Sequence, residues 1–254
     1  MMLDSYEKLL RLRCFSHEEA MQVLGEARKT TNILYVLKKK GLIQSVRRNL
    51  YVAISLETRE PVASAFEIAS AISKNTWISH HSALEFYGLA NQVFSDVYVS
   101  SEQPFREFYF DGRLYHSIET PNTFGVDDRK SVRLTNLERT VLDSIKDFDK
   151  VGGLEELLRS LSMITVIRED ILIEYLGRYH NRFLIQKAGY LLTNYPQMKL
   201  SAAFFDYCRK NIGSSSRYLY NDLKEEKCVF SKEWKLCVPE SLAHLTEEGG
   251  NTLV

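Results

Sequence analysis

Apolar positions recur along this chain at two spacings, and the changes between them mark its elements. From about Asp4 to Arg13, Tyr6, Leu9 and Leu10 fall at the three-to-four-residue interval of a helix with one buried face. Ser16-His17-Glu18-Glu19 has the form of a capping box, in which the serine accepts from the third helical amide and the glutamate reaches back. It predicts a second helix with Ala20, Met21 and Leu24 inward and Gly25 as its stop. A short turn carrying Arg28 and Lys29 follows, and Thr30 or Thr31 is expected to cap a third helix ending at Gly41. At about 100° per residue, Ile33, Leu34 and Leu37 share one face with Thr30 flanking, while Thr31, Asn32, Tyr35, Lys38 and Lys39 share the other. Beyond Gly41 the interval shortens to that of strands, over Leu42 to Arg47 and Leu50 to Ile54. Arg48-Asn49 lies between them, and asparagine tolerates the left-handed backbone of a tight hairpin turn.

The rest mixes the two spacings. Glu57-Thr58-Arg59-Glu60-Pro61 is polar, ends in proline and is the expected domain boundary. An apolar helix is predicted from Pro61 to Ser73, a short strand at Trp77-Ile78, and a helix capped by Ser79 and closed by Gly88. Asp96 to Val99 reads as a strand, and Asp111-Gly112 joins two more, Glu107 to Phe110 and Arg113 to Ile118. Val132 to Leu134 is another strand, and Thr135-Asn136-Leu137-Glu138 is a second capping box opening a helix to about Ile145. From Gly153 the pattern is mainly helical, over about 153–162, 168–180, 181–194 and 200–211, with extended pieces at Arg217 to Tyr220 and Trp234 to Val238. The tail from Glu247 is polar and expected to fray.

Composition changes this picture in one respect. The chain has 254 residues, 44% apolar and 26% charged, with zero formal net charge. The charge is unevenly spread. Residues 1–60 hold 11 basic and 7 acidic residues, and the other 194 hold 22 and 26. Between Arg28 and Arg48 there are seven basic residues and no acidic one. Three helices and a hairpin with such a stretch predict a winged helix-turn-helix that binds DNA. Asn32 suits adenine, and Thr31 and Tyr35 suit bases or phosphates. Arg28, Lys29, Lys38 and Lys39 suit phosphates, and Arg47, Arg48 and Asn49 form the expected wing. The bland alternative is a solvated basic helix on a protein-interaction module.

Catalytic chemistry finds little purchase. Glu225-Glu226-Lys227 and Glu233-Trp234-Lys235 match the Glu-x-Lys of metal-dependent nucleases, but such triplets arise by chance in a chain this charged. His81 and Glu85 have metal-ligand spacing beside His80, without a second cluster to complete a site. Arg139 and Asp143 read as an ordinary helix pair. There is no phosphate-binding loop, dinucleotide fingerprint or nucleophile elbow. The expectation is a non-enzyme with no cofactor and no metal. Cys14, Cys208, Cys228 and Cys237 form no C-x-x-C pair. With no signal-peptide pattern and no run of about 20 apolar residues, the expectation is a cytoplasmic protein with reduced thiols.

Three segments resemble the AbiEi-type antitoxin and transcriptional regulator family. Lys40-Gly41-Leu42-Ile43-Gln44-Ser45-Val46-Arg47-Arg48-Asn49-Leu50-Tyr51-Val52 resembles its helix end and wing, with Asn49 where the family typically has glycine. Ser79-His80-His81-Ser82-Ala83-Leu84-Glu85-Phe86-Tyr87-Gly88-Leu89 resembles its helix after the linker. Leu134-Thr135-Asn136-Leu137-Glu138-Arg139-Thr140-Val141-Leu142-Asp143 resembles its central Thr-x-x-Glu-Arg-Thr element. The likeness runs over about residues 5–145 and fades beyond. It implies a bacterial type IV toxin–antitoxin protein that represses its own promoter at inverted repeats in double-stranded DNA. It also implies a functional partner, a nucleotidyltransferase-like toxin countered without a stable complex. The expected fold is α+β, with a winged helix-turn-helix over 1–60, a mixed α/β domain over 61–150 and a mainly helical part over 151–254. The alternatives are a winged-helix transcription factor with a ligand- or protein-sensing C-terminal domain, and a metal-dependent nuclease.

Overall fold

The computed structural model describes residues 2–242, and the protein is α+β. The expectation for the tail from Glu247 lies outside the described residues. The chain folds as two compact units. The first takes the residues up to Ser82 together with Phe94–Thr135, and the second takes Ala83–Val93 together with the chain from Asn136 on.

The first unit opens with α1 (Met2–Leu12), β1 (Cys14–Ser16), α2 (His17–Leu24), α3 (Ala27–Lys39), β2 (Ile43–Arg47) and β3 (Leu50–Ala53). The apolar faces of the three helices and of β2 meet in a core of Tyr6, Leu9, Phe15, Ala20, Leu24, Leu34, Leu37 and Ile43. Tyr6 is tied to the hairpin's exit by a 2.6 Å bond from its hydroxyl to the Ile54 carbonyl. β1 has no counterpart in the sequence pattern. It is three residues long and gains its order by pairing antiparallel with β3, giving a sheet of order β1-β3-β2.

Helix boundaries follow local capping, with one correction. Ser16 and Glu19 form the expected capping box on α2, and Gly25 ends it at φ +99°. α3 then starts at Ala27, before either threonine, with Glu26 as a cap that makes no side-chain bond. Thr30 and Thr31 lie inside the helix, and their hydroxyls donate back to the carbonyls of Gly25 and Ala27. Arg28 and Lys29 therefore occupy its first turn, not a preceding loop. Gly25, at φ +99°, ends α2 so sharply that only it and Glu26 separate the two helices.

The same unit continues through α4 (Ala65–Ser70), β4 (Thr76–Ile78), α5 (His80–Phe86), β5 (Asp96–Ser101), β6 (Phe108–Phe110), β7 (Arg113–Glu119), β8 (Val126–Arg129) and β9 (Val132–Thr135), with α5 crossing at Ser82 into the second. The six strands form a mixed sheet, β6-β7-β5-β4-β9-β8. Asp111 and Gly112, at φ +51° and +72°, make the tight turn between β6 and β7. α4 covers six residues, not the span from Pro61 to Ser73, because Ser64 and Glu67 build a capping box after Pro61 has bridged to Ile54. The hydroxyl of Ser79, expected as a cap, meets His80 Nδ1 at 2.9 Å and Ser100 Oγ at 2.7 Å.

Neither expected border, at 60/61 or 150/151, separates the compact units. Arg13 crosses the first, donating from Nε and Nη2 to the Glu67 carboxylate at 2.7 and 2.9 Å and from Nη2 to the Val62 carbonyl at 2.6 Å. A 3-10 turn, Phe148–Val151, runs to the second and packs against the helices on both sides.

The second unit contains α6 (Leu137–Lys146), α7 (Leu154–Ser162), α8 (Glu169–Tyr179), α9 (Arg182–Leu192), α10 (Ala202–Asn211) and a small sheet of β10 (Arg217–Tyr218), β11 (Cys228–Ser231) and β12 (Leu236–Pro239). The cap of α6 is Asn136, one residue later than expected, because Thr135 is engaged in the β8–β9 ladder. The Arg139–Asp143 pair is not an ordinary surface pair. Arg139 is 1% exposed, its Nε lies 3.2 Å from Asp143 Oδ2, and Asp143 also accepts from the Tyr179 hydroxyl. Such a charge pair has lost its water on both sides, so removing one partner strands the other.

Candidate nucleic-acid interface

α3 carries the surface to which the sequence pointed. Thr30, Leu34 and Leu37 are buried and Ile33 is half-buried, which fixes the rotation of the helix. Arg28, Lys29, Thr31, Asn32, Tyr35, Lys38 and Lys39 are then all exposed, with Tyr35 at 68%. Lys40, absent from the expected set, is the exposed C-cap and adds to the basic end.

The face is not uniform. Arg28, Lys29 and Asn32 line one side of an apolar groove of about 550 Å³, which also involves Met2, Ile33 and Val36. Tyr35, Lys38 and Lys39 do not line that groove. The Thr31 hydroxyl lies 3.1 Å from His17 Nε2, so His17 at the start of α2 belongs to the same surface. No sequence signal marked His17 beyond its place in the capping box, since its neighbour in space is fourteen residues away. Glu26, just before the acid-free stretch, also borders the groove.

At the hairpin the three expected residues part company. Asn49 is exposed at φ +62°, the left-handed turn its type allows. Arg48 beside it is exposed. Arg47 is half-buried, and its guanidinium lies over the rings of Phe105 and Phe108, 5.5 and 5.3 Å from their centroids. The cause is a register shift between Ser45 and Arg47, since an extra residue in a strand re-aims the side chains around it. The structure thus groups Tyr35, Lys38 and Lys39 on α3 and leaves Arg48 and Asn49 at the tip, with Arg47 turned to the aromatic pair.

Several of the residues considered for metal chemistry are otherwise engaged. His81 is fully buried and stacks on Phe94 with centroids 4.0 Å apart, and His80 is buried beside Ser79. Glu226 accepts from the Tyr220 hydroxyl at 2.9 Å, and Glu233 pairs with Arg209 at 2.6 Å. Glu225 ends a 3-10 turn. Among the described residues no three His, Cys, Asp or Glu gather as a metal ion would require. No described helix is long and apolar enough to cross a membrane. All four cysteines are free.

No family model matches the chain, and no curated protein matches its sequence. The fold and this surface define a class no narrower than an α+β protein with an acid-free, basic helix-and-hairpin face.

Proposed function

We propose that the protein is a DNA-binding transcriptional autorepressor and the antitoxin of a type IV toxin–antitoxin pair. In this reading the first 60 residues are a winged helix-turn-helix, with α3 in the major groove of the protein's own promoter and the β2–β3 turn as its wing. One observation carries the DNA half. On α3, Thr31, Asn32, Tyr35, Lys38 and Lys39 are all exposed, and no acidic residue lies between Arg28 and Arg48 to repel phosphate. Lysines supply the affinity and its salt dependence, and the shorter polar side chains read base edges. The antitoxin half rests on the resemblance of three segments to AbiEi-type regulators. It calls for a cytoplasmic protein and for a nucleotidyltransferase-like toxin neutralised without a stable complex.

Gel shifts with the DNA upstream of the gene test the first half. Replacing Lys38, Lys39 and Arg48 by alanine should weaken binding and flatten the dependence of log affinity on log salt by about 0.9 for each phosphate no longer neutralised. Asn32→Ala should weaken binding to the preferred sequence more than to random duplex. Wild-type affinity in the triple variant would refute the assigned surface. The second half is tested by co-expression with the product of the adjacent reading frame. Growth that is arrested by that product and not restored by this protein would remove the antitoxin reading and leave the DNA half standing.

A further inference from the structure

Beside the hairpin lies a cavity of about 320 Å³, walled by Arg47, by the Ile72–Thr76 stretch leading into β4 and by Gln103 to Phe105 before β6. That volume is at the small end of sites for organic ligands. Its lining holds two cations, Arg47 and Lys74, and no acidic residue.

Arg47 is held here in an unusual way. Its guanidinium is fixed over the rings of Phe105 and Phe108. These rings favour the positive charge but offer its N–H groups no oxygen acceptor. The Nη1 nitrogen is sealed from solvent and has no hydrogen-bond partner. A nitrogen closed to water is closed to a ligand oxygen too, so a ligand in the cavity would meet Nε and Nη2, which are not sealed and also make no hydrogen bond among the described residues. Lys74, which also lines the cavity, is exposed.

We propose that this cavity binds a small phosphomonoester, with Arg47 and Lys74 holding the phosphate. Two cations without a counter-charge match a group of nearly two negative charges better than a single carboxylate. The flat guanidinium fork fits a pair of phosphate oxygens, and the two aromatic rings hold that fork ready before the ligand arrives. Asn75 and Gln103 also line the cavity, and side chains of their type suit a hydroxylated body, as in a sugar phosphate. Arg47 closes β2 next to the turn, so the ligand would bear on the backbone that presents Arg48 and Asn49. The binding itself does not depend on the DNA-binding reading.

Calorimetric titration of the full chain with ribose 5-phosphate tests the proposal, with ribose, inorganic phosphate and duplex DNA as comparison arms. Saturable binding of ribose 5-phosphate, none of ribose and at least tenfold weaker binding of inorganic phosphate are expected. Arg47→Gln and Lys74→Gln should each weaken binding by about tenfold or more, the drop expected when a charge-assisted hydrogen bond to phosphate is removed. Lys74 is exposed, so its variant keeps the fold and decides the matter even if Arg47→Gln does not fold. Ribose 5-phosphate bound equally well by Lys74→Gln, or not bound by the wild type at millimolar concentration, would overturn the proposal. So would inorganic phosphate binding as tightly as the ester, which marks an adventitious ion only. Displacement by duplex DNA would overturn it too, because the pocket would then be part of a nucleic-acid surface. Failure of the promoter gel shift leaves all of these readouts unchanged.

Discussion

Gly189 shows how one absent methyl group can decide a packing arrangement. It sits inside α9, where alanine would be favoured by about 1 kcal/mol on helix propensity alone. A Cβ there would run into the ring of Trp234. Overpacking of this kind costs about 1–3 kcal/mol, so Gly189→Ala should lower stability despite the better helix former. Chemical denaturation measures this, and a more stable variant would show that the ring can step aside. The sequence shows a glycine in a helix but not the tryptophan 45 positions on that requires it. Glu67 makes a second residue-level case. Burial pushes its carboxyl up, but hydrogen bonds from Arg13, the Ser64 amide and hydroxyl and the Ser131 hydroxyl override this and bring it down to about 2. A folded value below the ordinary 4.5 contributes stability that is complete above 4.5 and disappears as pH falls towards 2. Glu67→Gln should therefore flatten acid destabilisation in that window, as followed by melting temperature against pH. An unchanged slope would mean that Arg13 does not hold the carboxylate in solution.

At the scale of elements, the hairpin of β2 and β3 was legible because its turn chemistry is local. Asn49 adopts φ +62°, so Asn49→Gly should be close to neutral while Asn49→Val should cost about 1–2 kcal/mol. Unfolding free energies of the two variants from urea titration should differ by that amount, and equal values would count against the left-handed turn. The Asp111-Gly112 turn and the Ser16 capping box were readable for the same reason, as was the inward face of α3. Elements that draw their order from a distant partner were not. β1 exists through β3, β8 through β9 and β11 through β12, and none carries a run long enough to show a period. Caps slid where two signals competed. Gly25 started α3 ahead of Thr30, and the β9 ladder took Thr135 and left Asn136 to cap α6. In the candidate interface the α3 face was readable from periodicity. The diversion of Arg47 was not, since it needs a bulge and two phenylalanines about sixty residues away.

For the whole molecule, composition located the basic stretch but not the divisions of the chain. The polar run ending at Pro61 looks like a linker, yet Arg13 reaches past it to Val62 and Glu67, and the Val62 amide bonds to the Ala53 carbonyl. In the proposed DNA-binding role, the affinity of the α3 surface for duplex should fall steeply with salt, because its charge is set in one segment while the chain as a whole is neutral. The route of the backbone has a different kind of consequence. The chain leaves its first compact unit after Ser82, spends Ala83–Val93 in the second, returns at Phe94 and leaves again after Thr135. No single recombination point can therefore hand one unit intact to another gene. Exchange of either unit between relatives needs three coordinated junctions, which makes the two units a single heritable block.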